Sequence, residues 1–423
     1  MSTNIIFFFV MLFVLLFLGI PVVYSIGLDV ALYMLIFNVG DLIQIPTKIY
    51  AQNDSYVLLA IPLFVFCGMI MEAGGISKRL VDFIYHLVGR QPGALGTVAV
   101  LTCMVFAALT GSAVATTVAI GSIMVPMMVD HGYDAKFAAG LVCSAGALGP
   151  IIPPSVPMVI YGSAMNVSVA DLFLGGVIPG ILMGLSFIVI NLVYAIKHKV
   201  PRSTEPFNLK ETLKAFWKSL GVLFLPVIIL GGIYSGKFTP TEAGTIAAIY
   251  SLILTIVYGQ MTPKKFLELC RKTISSAGSI MCIICVSGAF AYILTIEQIP
   301  QKIAAMLLPY MSSQAMFMVI MFLFLLIVGA VMDSGPGIMI LAPIISPIGV
   351  ALGLSPVYVG VMFCCIFCMG AITPPFGVTL FAVTPIAKIP FAEVCKGAAR
   401  FIVAAFAVLL VLCFLPQVVM LFF

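Results

Sequence analysis

Charge is what this sequence has least of. Lysine, arginine, aspartate and glutamate make up 8% of its 423 residues, against roughly 25% in soluble domains. That scarcity excludes a soluble globular chain. With 63% hydrophobic residues and apolar runs of spanning length from end to end, it leaves an all-α polytopic membrane protein in a lipid bilayer. No basic stripe is present, so the net charge of +5 reports loop orientation and no nucleic acid is expected as a partner. Histidine is scarce too: His86, His131 and His198 all fall at span ends, whereas proton relays lie within spans. No paired aspartates, HExxH pattern or serine–histidine set lies at membrane depth, which argues against an enzyme.

Eleven cysteines do not make a metal site. Cys103, Cys143, Cys282 and Cys285 lie inside apolar runs, where cysteine behaves as a small apolar residue. Cys364, Cys365 and Cys368 form the tightest group, but a zinc site needs four convergent ligands and no second pair is near.

Proline and glycine, by contrast, are present where a membrane helix should have neither. The stretch GALGPIIPPSVPMVIYG, residues 146–162, places Pro150, Pro153, Pro154 and Pro157 inside an apolar run, and each removes a backbone donor and breaks a helix. A second anomaly spans residues 93–130: an apolar segment with cytoplasmic-looking residues at both ends (Arg90, then Asp130, His131, Asp134 and Lys136) and the small polar cluster LTGSAVATT in its middle. A re-entrant hairpin with its tip at residues 111–113 accounts for it; two full spans with a short external turn are the alternative. Irregular backbone at depth is tolerated only where protein or a water-filled cavity surrounds it.

The second half repeats these anomalies. One offset of 221 carries Pro126, Pro153 and Pro154 onto Pro347, Pro374 and Pro375, Gly149 onto Gly370, and Ser112 onto Asp333. Residues 1–196 and 219–423 are therefore expected as two repeats, with hairpins at about 93–130 and 313–351 and broken spans at about 137–166 and 356–386. The linker between them, 197–218, carries Lys197, Lys199, Arg202, Lys210, Lys214 and Lys218 and is cytoplasmic by the positive-inside rule. Residues 208–220 are expected to form an interfacial helix with Trp217 at headgroup level, and the basic stretches 77–90 and 263–272 to form cytoplasmic interfacial helices or arms. Each half has three spans, beginning with 4–24 in the first, then a hairpin that crosses nothing, a broken span and a final span. Five crossings make the repeats inverted. The first hairpin then opens to the cytoplasm and the second to the periplasm, and both termini are periplasmic.

Inverted repeats with broken helices are the architecture of secondary transporters, whose half-helix ends converge near the bilayer midplane. Freed carbonyls there coordinate cations, and helix N-termini present N–H groups to an anion. Two cation sites with a substrate cleft between them are expected. The candidate sodium ligands are Gly111, Ser112, Thr116, Gly149, Pro150, Pro153 and Ser155 in the first half, and Asp333, Gly337, Gly370, Thr373 and Pro374 in the second. The candidate substrate contacts are Ser112, Ala113, Pro154, Ser155, Ser334, Gly335, Pro375 and Gly377. Asp333 is the only acid in either tip or broken span; it reads as a ligand or gate, or else as a residue at the aqueous end of its helix or one capping the second hairpin arm. Glu72 and Glu242, at span ends beside glycine, read as solvated or hydrogen-bonded scaffold residues.

Four stretches carry a family likeness: GSAVATTVAIGSIMVP, GALGPIIPPSVPMVIYG, MDSGPGIMILAPI and GAITPPFGVTLFAV. In order and at depth, they resemble the large membrane subunit of tripartite ATP-independent periplasmic (TRAP) transporters, over essentially the whole chain. The resemblance implies a sodium-coupled importer in the bacterial inner membrane, of the elevator type found in the ion transporter superfamily, with no organic cofactor. It implies a periplasmic substrate-binding protein and a small four-span membrane subunit as partners, the latter on a separate polypeptide, and organic acids such as C4-dicarboxylates or sialic acid as cargo. A self-sufficient sodium/carboxylate symporter of the same superfamily is the alternative.

Overall fold

The computed structural model describes residues 3–89, 91–201, 208–307, 313–374 and 377–423, which leaves Arg90, Arg202 and Pro375 outside it. Among the described residues all regular structure is helical. The first half runs α1 (Thr3–Phe17), α2 (Val22–Phe37), α3 (Gln44–Asn53), a 3-10 turn (Tyr56–Leu59) leading into α4 (Ala60–Ala73), α5 (Ile76–Val88), α6 (Ala94–Thr110), α7 (Ala113–Asp130), α8 (Ala135–Gly146), α9 (Val156–Met165) and α10 (Val169–Lys197). The second runs α11 (Leu209–Tyr234), α12 (Pro240–Val257), α13 (Pro263–Ile296), α14 (Ile299–Leu307), α15 (Gln314–Gly329), α16 (Ser334–Ala351), α17 (Pro356–Met369) with a 3-10 turn (Gly370–Ile372), α18 (Val378–Ala387), α19 (Phe391–Phe414) and the short α20 (Pro416–Val419). Among the described residues eight helices are long and apolar enough to cross a membrane. This is a multi-pass membrane protein.

The offset of 221 governs elements as well as motifs. Added to the bounds of α7 it gives those of α16 residue for residue; it brings α9 to within one residue of α18 and starts α8 where α17 starts. It also carries α5 onto α14, and both α3 and α4 into the single helix α13.

Three expectations need correction. Residues 4–24 are not one span: α1 stops at Phe17, Gly19 takes φ +78, and Pro21 precedes α2, a left-handed glycine and a proline that together end one helix and start the next. Residues 208–220 do not form a separate interfacial helix. They are the first turns of α11, which Asn208 caps by accepting from the Lys210 and Glu211 N–H groups, and no breaker follows before Pro226. The polar end is held against α5 instead, where Ser219 donates to the Arg79 carbonyl at 2.9 Å and Thr212 to that of His86 at 3.4 Å. Residues 263–272 likewise are not an arm but the start of the 34-residue α13, about 51 Å long at 1.5 Å per residue. The repeat places the counterpart of α5 at α14.

Packing sorts the helices into two sets. In one, the hairpins and broken spans of both halves interlock: α7 packs on α18, α8 on α18 and α19, α9 on α16 and α17, and α10 on α17 and α19. Glycines allow this, since Gly140 of α8 lies against the backbone of Gly397 of α19. The other set joins α1 to α2, α4 to α12, α11 to α12, and α13 to α2, α3 and α4. The seam between the sets runs where α4 and α5 meet α6 and where α13 and α14 meet α16. At one edge of the first set the Tyr133 phenol, pushed up to about 12 by burial, receives the Gly96 N–H and donates to Asn191, both at 3.4 Å.

Candidate functional site

The first hairpin turns at Gly111, whose φ of +59 ends α6 while its N–H still bonds the Ala107 carbonyl. Ser112, in extended conformation, then caps α7 by accepting the Ala115 N–H at 3.4 Å. This tip lies backbone to backbone on the first broken span. A Cβ at Gly111 would stand 2.9 Å from the Pro154 oxygen, and one at Gly149 would stand 2.7 Å from that of Ser112, so only glycine permits the approach. The Thr110 and Thr116 hydroxyls are hydrogen-bonded at 3.0 Å behind it. The prolines between α8 and α9 leave carbonyls without backbone donors, and a hydroxyl replaces one: Ser155 donates to the Pro150 carbonyl and accepts from the Met158 N–H at 3.3 Å, restarting the helix.

In the second half, Asp333 stands at the start of α16 but its carboxylate makes no capping bond, which removes the capping reading. Gly370 lies against Gly329 of α15, where a Cβ would meet the Gly329 carbonyl carbon at 2.1 Å. Gly337 leaves room for the ring of Phe367, and Gly335 is buried beside α9. The Thr373 hydroxyl donates to the Met369 carbonyl at 3.1 Å, Pro374 is exposed, and Gly377, at φ +44, begins α18. The halves are tied by the Tyr161 hydroxyl of α9, which donates to Ser346 of α16 at 2.8 Å.

Both tips and both broken spans open onto one cavity of about 490 Å³. Of the residues singled out from sequence, Gly111, Ser112, Ala113, Pro150, Asp333, Ser334, Gly370 and Gly377 line it. Thr116, Gly149, Pro153, Pro154, Ser155, Gly335, Gly337, Thr373 and Pro374 do not; several of them support the lining from behind. Four helices begin at its wall: α7 through Ala113, Val114 and Ala115, α9 through Val156 and Pro157, α16 through Ser334, and α18 through Val378. Their first turns, which carry the partial positive ends of the helix dipoles, therefore border one volume. No lysine, arginine or histidine is among the described residues that line it, and no cluster of metal-binding histidine, cysteine or carboxylate side chains occurs among the described residues.

Sequence reasoning missed one wall. Val65, Gly68, Met69 and Glu72 of α4, with Ser276 and Ile280 of α13, close the cavity from the second set of helices. Their spacing of three and four residues marks one helical face, a signal present in the sequence. Glu72, expected to be solvated or hydrogen-bonded, is exposed and also lines this wall, while Glu242 is hydrogen-bonded in a capping box with Thr239.

The family model for the tripartite ATP-independent periplasmic transporter, DctM component, matches residues 9–418. The chain belongs to this TRAP family. The DctM-family chain is 36% identical over 405 residues to the 2,3-diketo-L-gulonate TRAP transporter large permease YiaN of Escherichia coli, covering 96% of this chain and 95% of that one. It is 41% identical over 399 residues to the C4-dicarboxylate TRAP large permease DctM of Pseudomonas aeruginosa, covering 93% and 92%, and 34% identical over 405 residues to the sialic acid TRAP large permease SiaM of Vibrio cholerae, covering 95% and 94%. Among solved structures it resembles the YdaH transporter of Alcanivorax borkumensis, with a TM-score of 0.65 over 87% of this chain and 86% of that one at 13% identity, a likeness of fold. The TRAP permease is thus a transporter protein and not an enzyme.

Proposed function

We propose that this TRAP permease is the large membrane subunit of a sodium-coupled importer, carrying a small organic anion of the C4-dicarboxylate or sialic acid class across the bacterial inner membrane. A periplasmic substrate-binding protein delivers the anion, and a small four-span subunit binds the scaffold set of helices. One observation carries the reading: four helix N-termini and two hairpin tips converge on one cavity that holds no basic side chain among its described lining residues. An anion there is held by N–H groups, hydroxyls and bound cations. Hard oxygen donors suited to sodium stand at the tips in Ser112 and Asp333, and in the proline-freed carbonyls of the broken spans.

The interlocking of hairpins and broken spans from both halves supports a single moving body, and the seam along α4, α5, α13 and α14 is where it slides. Opposite orientation of the two repeats, with both termini periplasmic, makes that motion expose the cavity to either side in turn. The test is uptake of a delivered organic acid into proteoliposomes under a sodium gradient. Ser112→Ala and Asp333→Ala are expected to reduce it to background with expression and subunit assembly intact. Wild-type uptake in both variants at low sodium rejects the cation assignment, and full uptake by this chain alone rejects the tripartite one.

A further inference from the structure

Six residues with polar side chains are among the described residues that line the cavity: Glu72, Thr110, Ser112, Ser276, Asp333 and Ser334. Two are carboxylates and four are hydroxyls, a donor–acceptor set unlike the basic clamp that grips a dianion elsewhere. The acids sit on opposite sides of the seam, Asp333 at the start of α16 and Glu72 on α4. On the transport reading above, on which this inference rests, sodium neutralises Asp333. No side chain among the described residues is paired with Glu72. It is exposed and lines the cavity, and it forms no hydrogen bond or ion pair within the described residues. Lys272, whose charge reaches Glu72, is already paired with Glu268 at 2.7 Å.

We infer that Glu72 determines specificity, and that the cargo is a monoanionic polyhydroxy acid and not a dicarboxylate. The single carboxylate of such an acid sits at the helix N-termini and its hydroxyls reach the opposite wall, where Glu72 accepts and Ser276 can donate or accept. A C4-dicarboxylate of the same length would bring its second carboxylate against Glu72, a like-charge contact in a cavity with apolar walls.

The experiment measures ligand binding to the full-length chain, purified in detergent with sodium present and any bound subunit retained, using gluconate, N-acetylneuraminate and succinate as probes. Gluconate and N-acetylneuraminate are expected to raise the unfolding temperature of the wild type, and succinate not to. Glu72→Gln, which keeps the shape and removes the charge, is expected to weaken the hydroxylated acids roughly ten- to a hundredfold, the scale of a hydrogen bond to a charged group, and to admit succinate. Glu72→Leu should lose the hydroxylated acids altogether; the glutamine variant carries the test if the leucine variant does not fold. Equal binding of all three acids by the wild type, or an unchanged preference in Glu72→Gln, overturns the assignment to Glu72 alone. If no acid of either kind stabilises the wild type in sodium, the organic-anion reading itself fails.

Discussion

At Gly149 and Gly370 the fold depends on the absence of a single methyl group. A Cβ would meet the Ser112 oxygen at 2.7 Å in the first case and the Gly329 carbonyl carbon at 2.1 Å in the second, both backbone atoms that cannot swing aside. Overpacking of this kind costs about 1–3 kcal/mol. Gly149→Ala and Gly370→Ala are therefore expected to lower the unfolding temperature and to push a hairpin arm off its broken span, with loss of sodium-dependent uptake. Gly278 in the middle of α13 has nothing within 4 Å of its missing Cβ, so Gly278→Ala should leave uptake unchanged and stabilise the helix by about 0.5–1 kcal/mol. Parallel melting curves and uptake assays on the three variants separate a packing requirement from mere helix propensity.

For the elements, the sequence showed breaks better than continuities. Prolines 150, 153 and 154 and the glycine at 111 announce discontinuity because each removes a donor or takes a conformation that other residues avoid, and the constant offset carries Pro153 and Pro154 onto Pro374 and Pro375 of the second half. Continuity leaves no such mark. Nothing in residues 263–296 says that a basic amphipathic stretch and an apolar one are a single helix, while the corresponding stretch of the first half divides between Asn53 and Ala60. The wall residue Glu72 escaped for a related reason: its helical face is legible, but what the face meets depends on the docking of α6, a tertiary fact. Sidedness is tested at this scale. Single cysteines at His131, between α7 and α8, and at Trp217, on the exposed polar end of α11, should react with an impermeant maleimide only from the cytoplasm, and one at Gln298, between α13 and α14, only from the periplasm. Periplasmic labelling at position 131 would mean that the first hairpin crosses the membrane, and the inverted arrangement would fail with it.

The whole molecule is two sets of helices that touch along a seam, and Gly68 of α4 lies in it. A Cβ there would lie 3.0 Å from the Cα of Thr110 at the first tip, so a larger side chain is a wedge between the two sets of helices. Gly68→Leu is expected to bring uptake to background while the protein still assembles; normal uptake would show that the tip never passes α4. The packing of α8 against α19 has a further consequence, for biosynthesis. A chain inserted from its N-terminus has α8 in the membrane about 245 residues before α19 begins, and the close glycine-to-glycine contact at Gly140 and Gly397 has no substitute partner in the first half. A similar delay holds for α7, awaiting α18, and a shorter one for α9, awaiting α16. Non-local contacts of this span form slowly. The first half must therefore wait in the bilayer with polar, helix-broken surfaces uncovered until translation is almost complete, and a nascent chain stalled before Phe391 should remain open to protease and quality-control recognition even though every element of its own repeat has been made.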